Sequence, residues 1–168
     1  MNISKTNFPG LFIIEPKVFE DERGYFFESY NEEKLTQNGI KTVFVQDNQS
    51  KSSYGTIRGM HFQSEPHAQT KLIRVLDGEI YDVVLDVRKG SPTFGRWFGI
   101  ELSAENKKQL YIPRGFAHGF SVLSKMAVVF YKCDSPYNPS SEGGISRDSL
   151  HTTKPISCHN QAQLYFRA

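Results

Sequence analysis

At 168 residues and 19.2 kDa the chain is long enough for one domain with a sizeable hydrophobic core and too short for two ordinary ones. Its 20 Lys and Arg against 18 Asp and Glu leave a formal net charge of +2, so no overall field gathers nucleic acid or an anionic membrane. Cys133 and Cys158 do not form a spaced ligand set, the N-terminus lacks the basic-then-apolar profile of a secretory signal, and no apolar run approaches the roughly 20 residues of a membrane-spanning helix. The expectation is a soluble cytoplasmic protein.

Between Leu11 and Cys133 the chain is a succession of short apolar or alternating runs, each closed by Gly, Pro, Asn, Asp or Ser. This is the pattern of many antiparallel strands. In chain order the runs are Leu11 to Ile14, Tyr25 to Tyr30, Thr42 to Val45, Ile57 to Phe62, Lys71 to Leu76, Glu79 to Val87, Trp97 to Leu102, Gln109 to Ile112, Gly119 to Leu123 and Met126 to Lys132. Only Asn31 to Gln37 reads as helix, and it is short. The 13 Phe and 8 Tyr suit pleated surfaces. About ten strands in a single domain, residues 1–168, hide their edges best in a double-sheet jelly roll or barrel. The predicted class is therefore all-β, a jelly-roll β-barrel with short helical segments. Along Glu79 to Val87, Ile80, Asp82, Val84 and Asp86 share one face and Tyr81, Val83, Leu85 and Val87 the other. The apolar face is expected to build the core, and the acidic face to meet solvent or a polar cavity.

Four clusters carry groups capable of chemistry. They are Asp21-Glu22-Arg23-Gly24 leading into Phe26-Phe27-Glu28; Gln46-Asp47-Asn48; Arg58-Gly59-Met60-His61-Phe62-Gln63, with Lys71 ten residues after His61; and Pro113 to Phe120, which contains His118. Tyr131, Tyr137 and Glu142 follow. One His in an aromatic strand is ordinarily a packed core residue; two His, each in a Gly-flanked polar patch, point to a site. A divalent transition metal wants several imidazole or carboxylate ligands converging. His61-Phe62-Gln63 offers Gln where a second His would be needed, so no metal is expected. Proton abstraction next to a carbonyl needs a base of near-neutral pKa, which His supplies. The resulting enolate needs a cation at its oxygen, which Lys71 can provide. Inversion further needs an acid on the opposite face, and a Tyr hydroxyl is a suitable one-proton donor. Arg23, Arg58 and Lys71 together suit a diphosphate.

The runs FEDERGYFFESYNEEKL, FVQDNQSKSSYGTIRGMHFQ, KLIRVLDGEIYDVVLDVRKGSPTFGRW, LSAENKKQLYIPRGFAHGFSVLS and FYKCDSPYNPSSEGGI resemble dTDP-4-dehydrorhamnose 3,5-epimerases from about Phe8 to Ile145. The resemblance implies a homodimeric cupin-type jelly roll that works without metal or cofactor in dTDP-L-rhamnose synthesis. It implies epimerisation at C3 and C5 of dTDP-4-dehydro-6-deoxy-D-glucose through an enolate. His61 resembles the general base, Tyr131 the general acid and Lys71 the lysine that stabilises the enolate. Arg23, Glu28, Gln46, Asn48, Arg58, His118 and Glu142 resemble substrate-binding positions, and Tyr137 the aromatic that stacks on thymine.

From about residue 146 the tail departs from the family pattern. Both Trp of the usual C-terminal segment are absent, and the counterpart of the Asp that partners the catalytic His is Asn160; Asp148 matches less well in spacing. Asn accepts a hydrogen bond from imidazole but brings no full charge to an imidazolium. Three alternatives stand beside the double epimerase: a C3-only or C5-only epimerase of a related 4-keto sugar nucleotide, a metal-dependent cupin enzyme, and a sugar-nucleotide binding protein without turnover.

Overall fold

The computed structural model describes residues 1–144, and the alternating runs of the sequence become strands in it. In chain order these are β1 (Asn2–Lys5), β2 (Phe12–Glu15), β3 (Val18–Asp21), β4 (Gly24–Phe27), β5 (Gln46–Ser53), β6 (Ile57–Gln63), β7 (Lys71–Asp77), β8 (Glu79–Asp86), β9 (Trp97–Ser103), β10 (Gln109–Ile112), β11 (Phe116–Val122), β12 (Met126–Cys133) and β13 (Glu142–Gly144). Between β4 and β5 lies the helix α1 (Glu32–Gln37). The side chain of Asn31 caps α1 by accepting from the Lys34 amide, and Leu35 is its buried residue.

A six-stranded sheet in the order β1-β2-β10-β7-β12-β5 faces a five-stranded sheet in the order β13-β6-β11-β8-β9, with β3 and β4 as a separate hairpin. Every pairing is antiparallel. This is the all-β jelly roll that the strand pattern predicts. Ile73 and Val75 of β7, Leu110 and Ile112 of β10, Val129 of β12, Ile80 and Val84 of β8, Leu102 of β9 and Phe120 of β11 fill the space between the sheets. Each fully buried aliphatic side chain there contributes about 1.5–3 kcal/mol.

Four strands carry no clear apolar signal: β1, β3, β5 and β13. The Thr42 to Val45 run is extended without being a strand, although the Val45 amide still donates to the Cys133 carbonyl at 2.8 Å. The assignment of faces on β8 also needs correcting. The acid-bearing face points inward, with Ile80 and Val84 in the inter-sheet core and Asp82 and Asp86 both fully buried. Val83 and Leu85 lie on the other side, in a separate cluster with Met60, Ala117 and the partly buried Phe62 and Trp97. The acids tolerate burial because each has a partner: His118 for Asp82, and Arg88, Ser91 and Thr93 for Asp86.

The pairing of β6 with β11 contains a bulge. His118 opposes His61 and Phe120 opposes Arg58, so β11 advances two residues while β6 advances three. Arg58 and His61, which strict alternation would send to opposite faces, thereby line one cavity. Two glycines permit the close approach. Gly59 has φ +112°, and a Cβ there would meet the Gly119 Cα at 2.5 Å; a Cβ on Gly119 would meet the Arg58 carbonyl oxygen at 2.7 Å. Gly59→Ala and Gly119→Ala are each expected to cost about 2–4 kcal/mol, from overpacking against backbone and, at Gly59, a disfavoured φ as well. Chemical denaturation is the check: a loss below about 0.5 kcal/mol in either variant, the range of ordinary surface substitutions, would show that the strands do not need this contact.

Candidate active site

Side chains of both sheets line a polar space between them. On the six-stranded wall β5 presents Gln46, Asn48, Ser50 and Ser52 inward, alternating with more exposed Asp47, Gln49, Lys51 and Ser53. Register places Gln46 beside Cys133 and Cys133 beside Lys71, while Asn48 stands beside Tyr131 and Tyr131 beside Ile73. On the five-stranded wall stand His61, Arg58 and His118, with Glu142 on β13 opposite Gln63.

Two adjoining cavities share His61, Lys71 and Tyr131. One, of about 160 Å³, is further lined by Gln46, Asn48, Gln69, Tyr137 and Glu142. The other, of about 310 Å³, is further lined by Ser50, Arg58, Gly59, His118 and Phe120. Nine of the predicted side chains thus converge: His61, Lys71 and Tyr131 at the junction, Gln46, Asn48, Tyr137 and Glu142 on one side, Arg58 and His118 on the other. Arg23 and Glu28 do not line these cavities in the single chain. Arg23 is 84% exposed in the turn between β3 and β4 and is paired with Asp21, while Glu28 accepts from Lys34 and Asn31. Asn160 lies outside the described residues.

Hydrogen bonds hold the polar lining in place. Gln46 Nε2 donates to Asn48 Oδ1 at 3.0 Å, while its Oε1 accepts from the Tyr137 amide at 3.1 Å. Tyr137 Oη donates to Glu142 Oε2 at 2.7 Å, which keeps its hydroxyl protonated and raises its pKa. Arg58 Nε donates to Ser52 Oγ at 2.9 Å, joining the two walls. Gln63, where a second metal-binding His would stand, is instead a structural clamp. Its amide donates to the His67 carbonyl at 2.6 Å and accepts from the Asn138 amide at 2.8 Å. Among the described residues no three His, Cys, Asp or Glu converge as a metal ligand set.

The electrostatics separates the roles. Burial raises the Tyr131 pKa, reinforced by Cys133 and opposed by Arg58, so the phenol holds its proton until something basic takes it. Burial lowers the Lys71 pKa, while Cys133, Asp82 and Glu142 act against that shift. The Lys71 Nζ also lies 5.9 Å from the centre of the Tyr131 ring. Two lining residues escaped the sequence reading, Ser50 and Gln69, while Asp82 was read on the acidic face of its strand without a place among the site residues. The signal for Ser50 was its even spacing from Gln46 and Asn48; Gln69 gave none.

The fold and these cavities define a small β-barrel with a polar site lined by titratable side chains. Its sequence matches the family model described as dTDP-4-dehydrorhamnose 3,5-epimerase over residues 5–158, and the chain belongs to that family. It is 56% identical to the dTDP-4-dehydrorhamnose 3,5-epimerase of Shigella flexneri over 159 residues, covering 93% of this chain and 88% of that protein. The crystal structure of dTDP-4-dehydrorhamnose 3,5-epimerase from Elizabethkingia anophelis NUHP1 superposes with a TM-score of 0.84 at 53% identity, covering 93% of this chain and 88% of the other. The dTDP-6-deoxy-D-glucose-3,5-epimerase of Legionella pneumophila, solved in complex with dTDP-4-keto-L-rhamnose, superposes with a TM-score of 0.85 at 50% identity, covering 93% and 84%. The fold is accordingly of the cupin type.

The lowered pKa of Lys71 has a consequence for stability. A lysine whose pKa is lower folded than unfolded weakens the native state wherever both forms are charged, below the folded value. That penalty fades as pH rises through the folded pKa toward the ordinary lysine value. Lys71→Met is therefore expected to gain most, relative to wild type, at neutral pH, and the difference should narrow on the alkaline side of that interval. Unfolding midpoints from pH 7 to 10 test this; a difference that widens with pH would mean that Lys71 is stabilised as a cation.

Proposed function

We propose that the chain epimerises C3 and C5 of dTDP-4-dehydro-6-deoxy-D-glucose by general acid–base catalysis, giving dTDP-4-dehydro-L-rhamnose. One observation carries the reading. His61 stands on the five-stranded wall, Tyr131 and Lys71 stand on the six-stranded wall, and all three line both cavities. Inverting a carbon requires removal of its proton from one face and delivery of another to the opposite face. A base and an acid on facing walls meet that need; two groups on one wall would return the proton to the side it left.

In this scheme His61 takes the proton from the carbon next to the 4-keto group. The electron pair moves onto the carbonyl oxygen, where the Lys71 ammonium stabilises the enolate. Tyr131 gives its proton to the far face of the same carbon, and solvent exchange restores both groups. Repetition at the second carbon completes the double inversion. Arg58 and His118 suit the charged and hydroxyl-bearing parts of the substrate, and Gln46, Asn48 and Glu142 its polar edges. Tyr137, whose ring is 54% exposed at the cavity mouth, offers a stacking surface for the thymine.

We further propose that the enzyme works as a homodimer in the cytoplasm, as one domain spanning 1–168. The β3–β4 hairpin leaves Phe19, Tyr25 and Phe26 at 54%, 58% and 70% exposure, more apolar surface than an isolated two-stranded ribbon ordinarily leaves to water. A second copy seated on it would bring Arg23 and Glu28 toward that copy's cavity. Among the described residues no helix is long and apolar enough to cross a membrane.

The test is incubation with dTDP-4-keto-6-deoxyglucose in D2O, with C3 and C5 followed by NMR. Wild-type protein is expected to place deuterium at both carbons with inversion; exchange at neither would defeat the proposal, and exchange at one would make it a single-site epimerase. His61→Asn is expected to lose about 10²–10⁴-fold or more of exchange at both carbons. Tyr131→Phe is expected to keep exchange while forming little epimer, a split no binding defect produces. Parallel loss of both in a folded Tyr131→Phe would make that tyrosine structural.

A further inference from the structure

Among the described residues Asp82 is the fully buried carboxylate beside the site, and the acid–base scheme leaves it without a task. It lies on β8 with 0% exposure and lines neither cavity. Its Oδ2 is 2.8 Å from Nε2 of His118, while Oδ1 is buried with no hydrogen-bond partner among the described residues. A buried carboxylate with half its accepting capacity unmet is costly unless nearby charge compensates. Lys71 lines the same cavity of about 310 Å³ as His118, to which Asp82 is bonded, and Asp82 is among the groups that favour the ionised form of that lysine against burial. Cys133 and Glu142 also favour the charged form, while His61, Arg58 and His118 share the cavities of Lys71. Glu142 is exposed and already accepts from Tyr137, Cys133 is a thiol whose pKa burial raises, and Tyr131 presents a ring face.

We propose that Asp82 is a positioning residue for the epimerisation, fixing the tautomer of His118 through Oδ2 and holding Lys71 as the ammonium that an enolate oxygen requires. A carboxylate only accepts, so the hydrogen it shares with His118 comes from Nε2. In the neutral ring that leaves Nδ1 as an acceptor for a ligand hydroxyl. One buried group thus sets a binding residue on its own sheet and a catalytic cation on the facing sheet. The inference rests on the proposed roles of His61, Lys71 and Tyr131.

The test uses the full chain, the same 4-keto sugar nucleotide in D2O, and a pH series. Asp82→Asn, close in shape but uncharged, is expected to lower kcat about 10–100-fold, the range seen when orienting partners are removed, with a smaller change in KM. Its alkaline limb should move to lower pH, since, of the groups that favour the ionised Lys71, Cys133 and Glu142 then remain without Asp82. In a Lys71→Gln background the same substitution should cost far less, because most of its effect passes through the ammonium. A wild-type limb and kcat in folded Asp82→Asn, or an undiminished further loss in the double variant, would overturn the inference. Histidine ¹⁵N NMR of the wild-type protein needs no variant at Asp82: His118 as the Nε2–H tautomer supports the inference, and the Nδ1–H tautomer overturns it. If the wild type showed no exchange at all, the proposed activity would fall and this inference with it; wild-type exchange with an unchanged Asp82→Asn profile would overturn the inference alone.

Discussion

The contact between Gly59 and Gly119 is the constraint on which the site depends. A side chain at either position would strike the backbone of the facing strand, so two glycines are what let β6 and β11 approach closely enough to form the bulge. The bulge turns Arg58 and His61 to the same side, and the pairing sets His118 directly across from His61. On the facing sheet β12 pairs regularly with β5, and with β7 from Val129 to Cys133, beyond a register shift at Val128, and this register supplies Asn48, Tyr131 and Lys71. Both walls carry a register shift, and the side chains that converge come from both.

The space between the sheets changes character along its length. At one end Ile73, Ile80, Leu102 and Leu110 are fully buried and apolar. At the other, cations and carboxylates are placed in the same interior, where each charge is costly unless it is answered. Two buried acids answer this differently. Burial pushes the Asp86 carboxyl up, but hydrogen bonds from Arg88, Ser91 and Thr93 outweigh it and hold the group well below the usual carboxylate range. That acid is satisfied and structural, tying the loop after β8. Lys71, by contrast, is a cation whose burial is only partly compensated, and Asp82 keeps an open oxygen. Incomplete satisfaction beside a cavity is what allows a ligand to complete the network when it binds.

Strands that bury apolar residues were legible in the sequence, because hydrophobic period is what their burial selects. β7, β8, β9, β10 and β12 fall close to their predicted runs, and α1 falls within the Asn31 to Gln37 stretch that reads as helix. β5 was not legible: Gln46 to Ser53 contains no apolar residue, since its inward face lines a polar cavity. The same fact explains why it carries site residues. Thr42 to Val45 misled for the opposite reason, its two valines being exposed at 65% and 59%. On β8 the apolar face read as the core faces away from the opposite sheet, because sequence alone could not show that Asp82 and Asp86 each have partners that make an inward position tolerable. His61, Lys71, His118 and Tyr131 were found by chemistry and family likeness; their meeting point was not visible until β6 and β12 were set on opposite sheets.

Epimerisation between facing walls is a geometric claim, and a structure with a bound, unreactive dTDP-linked 6-deoxyhexose lacking the 4-keto group measures it directly. The account predicts the His61 imidazole and the Tyr131 hydroxyl on opposite faces of the sugar ring, each within proton-transfer reach of its carbons, with the Lys71 Nζ beside C4. A sugar that met both residues on one face, or lay outside the space between the two sheets, would contradict it.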